Sequence, residues 1–215
     1  MQPKFTNEVC KMSNYRVNDI FYSLQGEGRN TGRAAVFVRF SGCNLRCSFC
    51  DTDFSAFREM TGDEIVHEIS AFPARFVVLT GGEPTLQVTE EFVDQLHQSG
   101  FEVAIETNGT LPVPGNIDWV TVSPKKRSPL PASPLGEKID RRQPDEIKVI
   151  FDGKTDPEDY LPSPQGEIRG ELYLQPCDVG DSQQNKAITD ACVEYIKQHP
   201  QWRLSLQTHK LVGFP

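Results

Sequence analysis

Ala34-Ala35-Val36-Phe37-Val38-Arg39-Phe40-Ser41-Gly42-Cys43-Asn44-Leu45-Arg46-Cys47-Ser48-Phe49-Cys50-Asp51-Thr52 joins an apolar run to a cysteine-rich loop, and how that junction is read decides the fold. The first seven residues have the β-branched and aromatic content of a buried strand, so Cys43, Cys47 and Cys50 sit on the loop just past a strand end. Thiolates this close can serve one soft metal centre. A disulfide between such near neighbours would be strained and would leave one sulfur over. A structural zinc site takes four protein ligands, and a simple electron-transfer 4Fe-4S cluster takes four cysteines, so a set of three leaves one position open for chemistry. The cysteines alone keep a second reading open: a zinc knuckle completed by a distant ligand such as His67, His97, Cys177 or Cys192.

Outward from this loop, the strand-then-polar-cluster arrangement recurs. Before it, residues 17–23 read as a short strand or extended arm ending in the turn Leu24-Gln25-Gly26-Glu27-Gly28. After it, Thr61-Gly62-Asp63-Glu64 has capping-box spacing, and Ile65 and Ile69 mark one face of a helix that ends near Pro73. Phe76-Val77-Val78-Leu79-Thr80 is a short apolar strand leading into Gly81-Gly82-Glu83-Pro84. A helix from about Thr89 to Gly100 carries the stripe Phe92, Val93 and Leu96. Residues 101–106 form a strand delivering Glu106-Thr107-Asn108-Gly109, and residues 119–123 form another delivering Ser123-Pro124-Lys125-Lys126. A strand at 145–151 follows, then Leu172-Tyr173-Leu174 leading to Gln175-Pro176-Cys177-Asp178. A helix over about 185–198 places Ile188, Ala191, Cys192 and Tyr195 on one side, and the last strand, 203–207, delivers Thr208-His209-Lys210.

Chemistry is therefore gathered at one rim, which is where parallel α/β sheets place their sites. About seven strands against three convincing helices argue for a partial, open (β/α) barrel of mostly parallel strands rather than a closed eight-fold one. The expected organisation is a single domain over residues 1–215, with an N-terminal extension at 1–14 and a proline-rich loop at 124–144. Lys plus Arg total 22 against 30 Asp plus Glu, and the resulting net charge of -8 disfavours a nucleic-acid or anionic-membrane binder. There is no apolar run of membrane-spanning length, and residues 1–14 lack a signal-peptide core. The expectation is a cytoplasmic protein whose six cysteines hold metal or stay free. No phosphate-binding Gly-x4-Gly-Lys-Ser/Thr loop is present.

The Cys-x3-Cys-x2-Cys spacing, with Phe49 before the last cysteine, together with Gly81-Gly82-Glu83, resembles the radical S-adenosylmethionine (SAM) enzymes. Within that superfamily the remaining clusters resemble the 7-carboxy-7-deazaguanine synthase family of queuosine and deazapurine biosynthesis. They run in order from Leu24-Gln25-Gly26-Glu27-Gly28 through Arg39-Phe40-Ser41-Gly42-Cys43, Cys50-Asp51-Thr52, Thr80-Gly81-Gly82-Glu83-Pro84, Glu106-Thr107-Asn108-Gly109 and Ser123-Pro124-Lys125 to Gln207-Thr208-His209-Lys210.

The resemblance implies a lyase that contracts 6-carboxy-5,6,7,8-tetrahydropterin with loss of ammonia, through a 5'-deoxyadenosyl radical that takes hydrogen from C6 and later returns it. It implies that Cys43, Cys47 and Cys50 hold a 4Fe-4S cluster and that Thr52 holds Mg2+. Phe49, Asp51, Gly81, Gly82, Glu83, Ser123, Pro124, Lys125 and Gln175 would then line the SAM side. Leu24, Gln25, Gly26, Glu27, Arg39, Thr80, Glu106, His209 and the carboxylate of Pro215 would meet the pterin. It further implies a homodimer and a flavodoxin-like reductant, for which Arg29, Arg33 and Arg46 are the candidate basic surface. The competing readings are a glycyl-radical-type activating enzyme, which shares the cysteine motif, and a non-enzymatic zinc-binding module.

Overall fold

The computed structural model describes residues 14–47, 50, 53, 55–125, 144–161 and 170–214. Nine strands form one sheet: β1 (Asn14–Leu24), β2 (Ala34–Phe40), β3 (Arg58–Thr61), β4 (Phe76–Gly81), β5 (Glu102–Thr107), β6 (Trp119–Val122), β7 (Glu146–Phe151), β8 (Glu171–Pro176) and β9 (Trp202–Leu204). Four helices accompany them: α1 (Gly62–Ile69), α2 (Glu90–Gln98), α3 (Ser182–Gln198) and α4 (Thr208–Val212). The strand order is β3-β1-β2-β4-β5-β6-β7-β8-β9. β1 runs antiparallel to both β2 and β3, and every pair from β2–β4 to β8–β9 is parallel. The sheet ends in β3 on one side and β9 on the other, so it is the expected open partial barrel. Among the described residues no helix is long and apolar enough to cross a membrane.

The sequence signals that set the helices act as expected. Thr61 accepts from the Glu64 N–H while the Glu64 carboxylate takes the Thr61 N–H, a complete capping box. Thr89 caps α2 by accepting from the Phe92 N–H. Ile65 and Ile69 of α1 and Phe92, Val93 and Leu96 of α2 pack on Val36, Val38, Phe40, Val77, Leu79, Val103 and Ile105 of the sheet. A second core joins α3, through Cys192, Ile188 and Tyr195, to Ile147, Val149, Leu172, Leu174 and Trp202. Ala191, expected on that same side of α3, is exposed.

Because side chains alternate across a strand, the residues between these core positions face the other way, toward the inside of the open barrel. There Ala35, Phe37, Phe76, Val78 and Ala104 form a third, smaller cluster with Phe21 and Trp119 beside it. Two residues further along the same strands the inner face turns polar, at Arg39, Thr80 and Glu106. Lys148 of β7 and Gln175 of β8 lie on that face too, since their neighbours Ile147, Val149 and Leu174 belong to the outer core. The switch along single strands, apolar near the amino ends and polar near the carboxyl ends, leaves a wet cavity at one rim.

Three expectations are corrected. Among the described residues there are nine strands rather than about seven; the edge strand β3, for one, has a single buried residue, Met60, and therefore little apolar signal. The last strand stops at Leu204, and Thr208, His209 and Lys210 open the short helix α4 instead of ending a strand. Arg29, Arg33 and Arg46 do not form one patch. Arg33 pairs with Glu102 at 2.5 Å and Arg29 pairs with Glu171, the first residues of β5 and β8. Arg46 stands beside the cysteines at the opposite rim.

Candidate active site at the carboxyl ends of the strands

Residues 25–29, which follow β1, form a strap across the inside of the sheet. Gln25 Nε2 donates to Glu106 Oε1 of β5 at 2.8 Å, and the Gln25 Oε1 accepts from the Glu27 N–H. The Gly26 carbonyl takes both the N–H and the hydroxyl of Thr208, at 3.0 and 2.9 Å. Glu27 accepts from Lys148 at 2.5 Å, from Gln175 at 3.1 Å and from Gln207 at 3.0 Å. The Gly28 N–H donates to Ser205, and the Arg29 N–H donates to the buried Glu146. Gly28 has φ 63°, and a Cβ there would collide with the Glu146 carboxylate, so only glycine lets the strap lie this close. One short turn thus draws together β5, β7, β8 and the segment after β9.

Above the strap lies a cavity of about 1080 Å³, at or beyond the upper end of the roughly 300–1,000 Å³ usual for one small-molecule site. Cys43, Cys47, Cys50, Gly81 and Gly82 line one end of it. Gln25, Gly26, Glu27, Arg39, Thr80, Glu106, Lys148, Gln175, Gln207 and His209 line the rest, with Leu24, Ser123 and Lys125 on the walls. At the sulfur end the cysteine loop is clamped to β4 by backbone alone: the Gly82 N–H donates to the Phe40 carbonyl at 3.0 Å, and the Glu83 N–H donates to the Gly42 carbonyl at 2.8 Å. Gly81, at φ 126°, sits against the Phe40 backbone, where a Cβ would not fit.

The electrostatics of the two ends differ. Burial pushes the Cys43 and Cys47 thiols up, the neighbouring cysteines add to this, and for Cys47 the Lys125 ammonium works the other way. At neutral pH these are protonated thiols that a metal would have to convert to thiolates. At the floor, burial would raise the Glu27 carboxyl, but Lys148 and the Gln207 donor hold it down at about 2. Burial likewise opposes the Lys148 charge, and Glu106 and Glu27 overcome it, lifting that amine above its ordinary value. Burial and the nearby Lys148 lower Lys125. The Glu106 carboxylate stays partly open: Oε1 takes Gln25, Lys148 stands 3.8 Å from it, and Oε2 has no protein donor among the described residues.

Most of the expected site residues meet in this cavity. Glu83 does not belong to its wall. It is fully buried, and its carboxylate accepts from Thr85, from the Thr107 hydroxyl at 2.7 Å and from the Asn108 N–H at 2.8 Å. Its side chain is thus a strut behind the glycines, and any contact this segment makes with a cofactor falls to the backbone. Pro124 is a spacer between Ser123 and Lys125, which do face the cavity. Phe49, Asp51, Thr52 and Pro215 lie outside the described residues.

Lys148 lines the cavity without having been singled out, and Gln207, quoted above only within its cluster and given no role, lines it too. The signal for Lys148 was present: in Glu146-Ile147-Lys148-Val149 the charges alternate with core residues in a strand that should be buried on both faces. Of the candidate zinc ligands, Cys192 is in the α3 core and His97 pairs with Asp118 at 2.9 Å. His67 lies on the outer side of α1, and only Cys177 reaches the cavity. Among the described residues no three His, Cys, Asp or Glu side chains close on one point as a single ion needs. A cluster asks for something else, since each thiolate binds a different iron, and three thiols facing one cavity, with no fourth protein ligand between them among the described residues, fit that requirement.

Residues 37–129 match the family model of the radical SAM superfamily, which implies a 4Fe-4S cluster and SAM. A 7-carboxy-7-deazaguanine synthase of Bacteroides thetaiotaomicron is 50% identical over 198 residues, covering 92% of this chain and 97% of that protein. The enzyme of that name from Bordetella pertussis is 42% identical, covering 94% and 99%. Among solved structures, QueE from Escherichia coli matches with a TM-score of 0.67 at 25% identity, covering 94% of this chain and 99% of that one. With a cysteine-lined cavity on an open parallel sheet and relatives this similar over nearly the whole length, the chain belongs to the 7-carboxy-7-deazaguanine synthase family of radical SAM enzymes.

Proposed function

We propose that the chain is a lyase that converts 6-carboxy-5,6,7,8-tetrahydropterin to 7-carboxy-7-deazaguanine with loss of ammonia. The observation that carries this is the pairing, in one cavity, of a three-thiol end with a floor that offers a carboxylate acceptor and an arginine. Glu106, with Oε2 open and Oε1 held by Gln25, suits the adjacent N–H groups of a pterin's amino-pyrimidinone edge. Arg39, whose guanidinium lies 5.5 Å from the Phe21 ring centre, would fork onto the substrate carboxylate. His209, with Gly26 behind its ring, offers a ring nitrogen to the bicycle. Cys43, Cys47 and Cys50 would hold the cluster, with Gly81, Gly82, Ser123, Lys125 and Gln175 along the SAM side. Once bound, the cluster and SAM would supply the one-electron chemistry needed to take a hydrogen atom from C6 of the pterin and to return it. The chain's own part is to hold C6 against that end and to keep water out.

A Mg2+ ion held by Thr52 beside the substrate carboxylate belongs to the same proposal and is supported by the sequence resemblance. Thr52→Ala should keep cluster and SAM binding while weakening the response of turnover to magnesium. A flavodoxin-like reductant, a homodimer and a cytoplasmic setting complete it. The exposed Arg46 beside the cysteine loop supports the first of these.

The test is anaerobic incubation of reduced, cluster-reconstituted protein with SAM and the tetrahydropterin. Mass spectrometry should find 7-carboxy-7-deazaguanine accumulating without matching consumption of SAM. Protein that binds zinc, stays colourless and gives no product, or that cleaves SAM only in the presence of a partner polypeptide, would overturn the reading.

A further inference from the structure

The floor of the cavity holds two carboxylates and one ammonium. Lys148 is 4% exposed and lies between Glu27, 16% exposed, and Glu106, 25% exposed, at 2.5 and 3.8 Å. The two acids are not equivalent. Glu27 has three donors on its two oxygens and has little left to offer a ligand. Among the described residues Glu106 has one hydrogen-bonded donor, on Oε1, and none on Oε2. Other titratable groups face the trio: Glu146 from β7, Lys125 from the segment after β6, and His209 from α4. Lys125 is already engaged with Ser123 at 2.6 Å and stands toward Cys47. Lys148 is thus the cation that the structure places between the two acids, and without it two negative charges would share a poorly solvated floor.

We propose that Lys148 is a positioning residue for substrate recognition: saturated Glu27 anchors its ammonium, and that ammonium offsets the two neighbouring carboxylates so that Glu106 is held with its second oxygen for the N–H edge of the pterin. Lys148 acts through Glu106 and need not touch the ligand. The proposal rests on the pterin reading given above and deepens it.

The experiment is binding of 6-carboxypterin, the oxidised and fluorescent form of the proposed substrate, to the full-length protein at pH 7, followed by calorimetry or fluorescence and read independently of turnover. Lys148→Met should weaken binding about tenfold or more. Combining it with Glu27→Gln returns the floor to a single negative charge, so the double variant should bind about fivefold or more tighter than Lys148→Met. A purely packing role predicts additive losses, and that outcome, or an unchanged affinity in Lys148→Met, overturns the proposal. If Lys148→Met does not fold, the double variant decides: affinity within about tenfold of wild type supports the proposal, and a larger loss overturns it. Wild-type protein that binds SAM but not 6-carboxypterin would remove the substrate reading itself and this inference with it.

Discussion

The sulfur end and the floor of the cavity are built on opposite principles. At the sulfur end the protein contributes backbone, glycines, the Asn44 hydrogen bonds to Asn108 and Thr110, and thiols that burial keeps protonated, the groups a cofactor would engage. At the floor, side chains from the strap and from β5, β7 and β8 satisfy one another through hydrogen bonds of 2.5–3.1 Å, leaving one acceptor oxygen open. The difference teaches that reactivity and recognition are separable here. One end offers thiols for a cofactor to bind, and the other is preorganised by side-chain hydrogen bonds.

That separation can be attacked from either side. Cys43→Ala should abolish cluster assembly and reduce turnover to background while 6-carboxypterin binding persists, checked by iron content, absorption and calorimetry. Glu106→Gln should do the reverse, keeping the cluster and costing about ten- to a hundredfold in pterin affinity. Glu83→Ala, behind the glycines, removes a buried carboxylate and orphans its donors from Thr107 and Asn108. Loss of about 3 kcal/mol in chemical denaturation is expected, with a loosened cysteine loop. Because folding holds the Glu27 carboxyl down at about 2 against an ordinary value of 4.5, its contribution to stability is present above about pH 4.5. It is lost as the pH falls toward 2. Glu27→Gln should therefore flatten the acid limb of a pH–stability curve. The smallest effect belongs to the amino-end rim: Arg33→Ala breaks an exposed pair with Glu102 and should change stability by about 1 kcal/mol or less with no effect on either end of the cavity.

Much of this was legible in residue order because it depends on local chemistry. The Thr61/Glu64 box, the Thr89 cap, the apolar strands and the cysteine spacing each announce themselves within a few positions. What stayed hidden depends on distant partners. Glu83 reads as a cavity residue beside Gly81-Gly82 until Thr107 and Asn108 are seen to occupy its carboxylate. Lys148 reads as one polar position in a strand until the strap brings Glu27 to it across 121 residues. β3 and α4 are short, with few or no buried residues, so apolar periodicity had nothing to register, and pairing with β1 and with the strap defines them instead.

The most direct measurement is a paired titration of 6-carboxypterin into cluster-free Cys43→Ala and into cluster-bearing Glu106→Gln, each against wild type. The account predicts that Cys43→Ala binds the pterin within a few-fold of wild type and that Glu106→Gln does not. Loss of binding in the first with retention in the second would show that the pterin is held at the sulfur end, and would contradict the division of the cavity on which the account rests.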